Sequence, residues 1–219
     1  LWKSPQPPPA RLVRNSTFSF VAKTLEARPF LIIPTIGKFP PGLITLAPIA
    51  AADPAAVEAL LDAAFGTDRH GRTAYRLREG VAAIPELSFA AFDDAGELVG
   101  TLQSWPIELV GDDGRIMPLA LVGPVAVRPD RQRDGIGRRL MDVMIAAADA
   151  GHADALMLIG DPEYYERFFG FTAQVTGGWS VPGPVERRRL LARLRGAAPL
   201  PAQGHLRPRR LAVADGALR

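Results

Sequence analysis

The 219 residues are 47% hydrophobic and 22% charged, ordinary globular usage that argues against global disorder. Cysteine is absent, which excludes disulfides, thiol nucleophiles and thiolate-held metals. No apolar run of about 18 residues lacks a charge or a proline, so nothing reads as a membrane-spanning helix. The net charge is +3, from 26 cations and 23 anions, yet Lys3, Lys23 and Lys38 are the sole lysines. Arginine pairs bidentately with phosphate and carboxylate, so an anionic ligand is worth seeking.

Residues 1–43 hold eight prolines (Pro5, Pro7, Pro8, Pro9, Pro29, Pro34, Pro40 and Pro41), and no apolar period survives. They read as an extended or disordered leader. A regular domain is expected over residues 44–196, beginning with a short strand at 44–47. Asp53-Pro54 is a helix cap followed by proline at the first helical position. Val57, Leu60, Leu61, Ala64 and Phe65 then form one apolar face, and Gly66 ends the helix. A polar loop and a second helix, 73–79, follow. Strands at 87–92 and 98–105 flank Asp93-Asp94-Ala95-Gly96, a hairpin turn. A second turn, Gly111-Asp112-Asp113-Gly114, leads into a strand over 116–127.

The pattern then changes. A basic loop, a helix over 135–150 and the unbroken apolar run 155–159 predict a β-α-β crossover, with parallel strands buried on both faces. A short helix is expected at 162–169, weaker strands at 171–175 and 179–181, and a helix at 185–195. Residues 197–219 read as a loose Arg/Pro-rich tail. The order predicts an α/β fold: a mixed, mostly antiparallel sheet with one parallel crossover.

The chemistry concentrates after Val127. Gly135 and Gly137 open a helix whose first N–H groups have no partners within it, and the helix dipole adds positive charge there. Arg128, Arg131, Arg133, Arg138 and Arg139 surround that point, so a phosphate or pyrophosphate is favoured. A nucleotide-binding lysine loop is excluded because no lysine lies beyond Lys38. A dinucleotide turn fails too, because seven residues separate strand from glycine and Leu140 takes the third glycine position. No G-x-S-x-G elbow occurs. His70, His152 and His205 are too scattered for zinc, so no metal is expected.

The hexapeptide Gln132-Arg133-Asp134-Gly135-Ile136-Gly137 resembles the Q/R-x-x-G-x-G/A signature of the GNAT family of N-acetyltransferases. Val125-Ala126-Val127 before it looks like the family's fourth strand. Gly160-Asp161-Pro162-Glu163-Tyr164-Tyr165 with Phe169-Gly170-Phe171 is similar to a bacterial subgroup of predicted acetyltransferases with a GD-x-x-YY…GF run. The resemblance covers roughly residues 44–181 and implies the acyl-CoA N-acyltransferase fold.

It also implies acetyl-CoA as co-substrate and an amine acceptor that attacks the thioester directly. The backbone of Val125, Ala126 and Val127 would pair with the pantetheine arm. The N–H groups of Arg133, Asp134, Gly135, Ile136, Gly137 and Arg138 would hold the pyrophosphate. Pro124 removes a ladder donor, which suits a bulge or splayed edge. A tyrosine would protonate the leaving thiolate: Tyr165 is favoured and Tyr164 is the alternative. Relatives place that tyrosine four residues before the glycine of "GF", where this chain has Glu166. Glu108, Asp161, Glu163, Asp68 and His70 are candidate bases, beside a water chain. A cytoplasmic enzyme, monomeric or homodimeric, is implied. The competing reading is a non-catalytic acyl-CoA sensor of the same fold. Nucleic-acid binding is disfavoured, because no aromatics alternate with the arginines of 187–195 and 207–210.

Overall fold

A computed structural model describes residues 42–195 and 200–210. All but the last two residues of the expected leader therefore lie outside it. In chain order the elements are β1 (Thr45–Pro48), α1 (Pro54–Phe65), α2 (Thr73–Arg76), β2 (Phe89–Phe92), β3 (Leu98–Gly111) and β4 (Ile116–Val127). They continue with α3 (Ile136–Ala147), β5 (Ala155–Ile159), α4 (Pro162–Phe169), β6 (Gly178–Ser180), β7 (Leu190–Leu194) and β8 (Gln203–Pro208).

Local chemistry places most of these boundaries. Asp53 accepts a bond from the Ala55 N–H at 3.1 Å with Pro54 opening α1, and Asp161 does the same from Glu163 at 3.1 Å with Pro162 opening α4. The Asp93 carboxylate accepts from the Ala95 and Glu97 N–H groups at 3.1 and 2.9 Å, closing the β2–β3 turn.

The sheet order is β1-β2-β3-β4-β5-β7, antiparallel throughout except for the β4–β5 pair joined by α3. β8 pairs antiparallel with Ile107–Gly111 of β3, and a three-residue parallel contact joins β6 to β8. The mixed, mostly antiparallel sheet with its parallel crossover matches the expectation. The alternation of β2 assigns the faces: Phe89 and Ala91 pack in the core beneath α3, while Ala90 packs with Val57, Leu60 and Leu61 of α1.

β4 changes this alternation partway along. Ala120 and Val122 face the α3 side, whereas after Gly123-Pro124 it is Val125 and Val127 that pack there and Ala126 that joins the α1 side. The β3–β4 register shifts at the same place, between Leu102 and Ser104. The expected bulge is therefore present, and it turns the last residues of β4 over relative to the first.

Three expectations are corrected. Residues 185–195 are not a helix: a 3-10 turn, Arg187–Arg189, leads into β7. Leu190 and Leu191 looked like one helical stripe but serve opposite sheet faces, Leu191 in the α3-side core and Leu190 in the other cluster. Residues 171–175 make only a bridge, Thr172 to Ala192. The tail is not loose over 203–208, which form β8, and the buried Trp179 indole donates to the Pro201 carbonyl at 3.0 Å to hold its approach.

Candidate active site

β3 accompanies β4 as far as Val127, but β5 pairs with β4 only at Ala120–Leu156 and Leu121–Met157. Beyond Leu121 the β5-side edge of β4 has no strand partner among the described residues, and the two strands part. A cavity of about 1200 Å³ occupies the opening. Its walls are residues 121–125 of β4, 158–161 at the end of β5, Tyr165 of α4, and the segments around Phe65–Arg78 and Pro184–Arg189. The N-terminus of α3 sits against the same stretch of β4: a Cβ on Gly137 would lie 3.6 Å from Val127 Cγ2 and 3.8 Å from Val125 Cγ1.

The loop into α3 is held by its own charges. Arg128 Nε donates to Asp130 at 2.7 Å and Arg131 Nε to Asp134 at 2.7 Å, with the buried Asp93 carboxylate 3.9 and 3.7 Å from the two guanidinium groups. Hydrogen bonding to Arg128 holds the Asp130 carboxyl below its ordinary range, and the bond to Asp134 raises Arg131. Arg139 donates to the Ile44 carbonyl at 2.9 Å. Two of the five arginines that point to phosphate in the sequence are thus spent on the loop itself, and a third on the Ile44 carbonyl. Arg133 has no side-chain partner among the described residues, and Arg138 lies over the Phe168 ring at 4.9 Å.

Arg133 and Gly135 both adopt positive φ, 84° and 73°. Only glycine takes that conformation without cost, and a Cβ on Gly135 would point into open space. Among the described residues, no protein carbonyl accepts from the N–H groups of Arg133, Gly135, Ile136, Gly137 or Arg138, whereas Asp134 donates to Arg131 at 3.3 Å. Five unclaimed donors at a helix start, with net positive charge, form an anion-binding turn.

The tyrosine pair divides. Tyr165 lines the cavity, its ring laid so closely on Gly160 that a Cβ there would come within 2.4 Å of Cε2. Its hydroxyl makes no hydrogen bond among the described residues, and burial pushes the phenol up to about 12. Tyr164 is not among the lining residues; its ring lies 5.3 Å from that of Phe168, with Arg138 and Asp142 nearby. Burial raises its pKa as well. α4 stays regular to Phe169, Gly170 turns left-handed at φ 69°, and the Phe171 N–H reaches back to the Tyr165 carbonyl at 3.3 Å.

Of the candidate bases, Asp68 and Asp161 line the cavity. Hydrogen bonds from Glu163 hold the Asp161 carboxyl below its ordinary range. Glu108 is tied to Arg207 at 2.7 Å and Glu163 to Arg188 at 3.0 Å, and His70 stands edge-on to Tyr75 outside the lining. The sequence reading missed Arg69, Tyr75, Arg78 and Glu186, all of which line the cavity. Arg69 is buried: burial pulls its pKa down, but bonds to Glu58, Tyr75 and Asp62 outweigh this and raise it. The nearest sequence signal was Tyr75 and Arg78 at i and i+3 in the expected second helix, which ends at Arg76.

The comparisons with known proteins agree with this geometry. The family model for an acetyltransferase (GNAT) domain matches residues 46–173. Over 117 residues the chain is 29% identical to an uncharacterized N-acetyltransferase, YhbS, of Escherichia coli strain K12, a match covering 53% of this chain and 66% of that one, just short of two thirds. The crystal structure of YhbS from Escherichia coli in complex with CoA superposes with a TM-score of 0.56 at 22% identity, over 76% of this chain and 89% of that one. A GNAT family acetyltransferase from Brucella melitensis in complex with acetyl-CoA gives 0.53 at 24%, over 77% and 97%. With parted strands, an open turn of N–H donors and a matching domain model that spans more than half its length, the chain belongs to the GNAT family of acetyltransferases.

Proposed function

We propose that the protein transfers the acetyl group of acetyl-CoA to an amine by direct attack on the thioester. The observation that carries this reading is the parting of β4 from β5 beside a turn of unclaimed N–H groups. A pantetheine arm is a chain of amides, and the open edge of β4 at Val125, Ala126 and Val127 offers it the groups a neighbouring strand would use. The pyrophosphate would rest on the N–H groups of Arg133, Gly135, Ile136, Gly137 and Arg138, that of Asp134 being taken by Arg131, with the side chains of Arg133 and Arg138 free to approach it.

Acetyl transfer needs an unprotonated amine near the thioester carbonyl, stabilisation of the oxygen that gains charge, and a proton for the departing thiolate. As the amine adds, its N–C bond forms, the C–S bond breaks, and the amine releases one proton while the sulfur takes one up. Tyr165 is assigned to the sulfur side. Its phenol, pushed up to about 12, stays protonated across the working range and can donate as thiolate charge develops. Asp68 and Asp161, two of the carboxylates that line the cavity, are assigned to receive the amine's proton, directly or through water. On the family likeness we assign the protein to a bacterial cytoplasm, as a monomer or homodimer.

Thermal unfolding with and without acetyl-CoA, followed by CoA release across a panel of amines, tests the reading. Stabilisation by acetyl-CoA but not by ATP or NAD, with amine-dependent CoA release, is expected. Stabilisation without release from any amine would replace it with a binding module.

A further inference from the structure

Among the described residues, the α1–α2 side of the cavity contains a cation that no carboxylate contacts as an ion pair. Four arginines line the cavity. Arg69 is bonded to Glu58 and Asp62, Arg72 donates to the Phe65 carbonyl at 2.8 Å, and Arg189 Nε reaches the Gly160 carbonyl at 3.4 Å. Among the described residues Arg78 forms no ion pair and no bond to a carbonyl; Tyr75 and the field of Glu58, which Arg69 holds, favour its charge, and its Nη1 is buried without any hydrogen bond. Its guanidinium carbon lies 3.6 Å from the Tyr75 ring centre and 4.6 Å from that of Trp105. Tyr75 is itself fixed, because Arg69 donates to its hydroxyl while gripping α1 through Glu58 and Asp62. Burial lowers the Arg78 pKa, but an arginine stays charged in any protein.

A positioned, partly desolvated guanidinium without a counter-ion costs stability unless something else supplies the charge. We infer that Arg78 receives a carboxylate on the acceptor, so that the cavity takes small amines that also carry a carboxyl group, as free amino acids do. This rests on the acetyl-transfer reading above. A single planar fork held against aromatic rings matches a planar monoanion. Asp68, Asp161 and Glu186 in the same lining oppose a more highly charged acceptor and favour the ammonium form of the incoming amine. Trp105 pairs with Leu121 of β4, so Arg78 stands over the sheet where β4 and β5 part, and Tyr165 of α4 lines the same cavity.

The test is steady-state acetyl transfer to free L-amino acids and to the matching amino-acid amides, compared at equal concentrations of unprotonated amine. The wild-type protein should favour the acids by about 10- to 100-fold in kcat/KM, the range of a charge-assisted hydrogen bond. Arg78→Gln should slow the acids by that factor, leave the amides at their wild-type rate and leave stabilisation by acetyl-CoA unchanged. Arg78→Lys, which keeps a charge but loses the planar fork, should fall between them; with the wild-type preference it decides the matter if Arg78→Gln does not fold. Equal wild-type rates on acids and amides would overturn the inference. So would a variant that slows both alike, or acetyl-CoA binding with no turnover of any amino acid. Failure of acetyl-CoA to bind at all would instead overturn the acetyl-transfer reading.

Discussion

The two walls of the cavity are built on different terms. On the α3 side, the turn from Arg133 to Arg138 presents main-chain donors, while Arg128 and Arg131 just before it brace the loop. On the α1–α2 side, the surface is made of side chains: Arg69 fixes Tyr75, which with Trp105 holds Arg78. A wall of backbone depends on where glycine lets the chain turn, so it should serve one fixed ligand in any sequence that keeps the turn. A wall of side chains can be rewritten residue by residue, which is how one fold serves many acceptors.

The sharpest way to break the comparison is on the backbone wall. Gly135→Asp places a carboxylate at a left-handed position among the N–H donors, and should weaken acetyl-CoA by on the order of 100-fold while abolishing its thermal stabilisation. Gly135→Asn, which tolerates the same φ without the charge, should lose much less. Retained acetyl-CoA stabilisation in the Asp variant would show that the turn is not the binding site.

Tyr165→Phe should lower kcat by roughly 100-fold with acetyl-CoA affinity unchanged, and Tyr164→Phe should stay near the wild-type rate. Equal effects of the two would undo the division between them. Gly160→Ala tests the same ring without touching its hydroxyl. A Cβ within 2.4 Å of the Tyr165 ring must push it aside, so kcat should fall about tenfold and stability by roughly 1–3 kcal/mol.

A smaller effect is expected at high pH. The folded-state pKa of Tyr165, up to about 12, lies above the ordinary phenol value, so any stability it contributes is complete below pH 10 and declines as pH rises toward 12. The kcat profile should therefore show no descending limb from Tyr165 below pH 10. A tyrosinate absorbance titration should find a last-ionising phenol at about 12, and that step should disappear in Tyr165→Phe while the raised Tyr164 step remains. Smallest of all, Arg133→Ala should weaken acetyl-CoA only a few-fold without moving the melting temperature, because the side chain braces nothing. Arg131→Ala should lower the melting temperature by loosening the loop from Asp93 and Asp134.

The same contrast explains what could be read in advance. Asp53-Pro54, Asp161-Pro162 and the 155–159 run carry local signals that survive folding, and the structure keeps α1, α4 and β5 where they were expected. The Gly135-Ile136-Gly137 turn is likewise local, so its geometry was legible. Residues 185–195 were misread because two adjacent leucines suit a helix stripe or a strand buried on both faces, and only the neighbouring β5 decides between them. Arg78 was missed for a related reason. Its significance comes from Trp105 on another strand and from the lack of an ion pair to it among the described residues, and neither is written near position 78.

The outer edge of β3 is covered by separate segments. β2 takes Leu98–Leu102; the Ile84 N–H donates to the Ser104 carbonyl at 2.7 Å, and the Ser104 N–H donates to the Ser88 hydroxyl at 3.0 Å. The Arg209 N–H donates to the Pro106 carbonyl at 3.0 Å, and β8 takes Ile107–Gly111. Two of these covers come early in the chain and the last comes far later. A nascent polypeptide leaving the ribosome would thus carry a half-open seam along β3 until residues 203–209 emerged. For that interval the exposed ladder could accept a strand from a neighbouring copy, so the timing of β8 bears on whether the protein folds alone or aggregates.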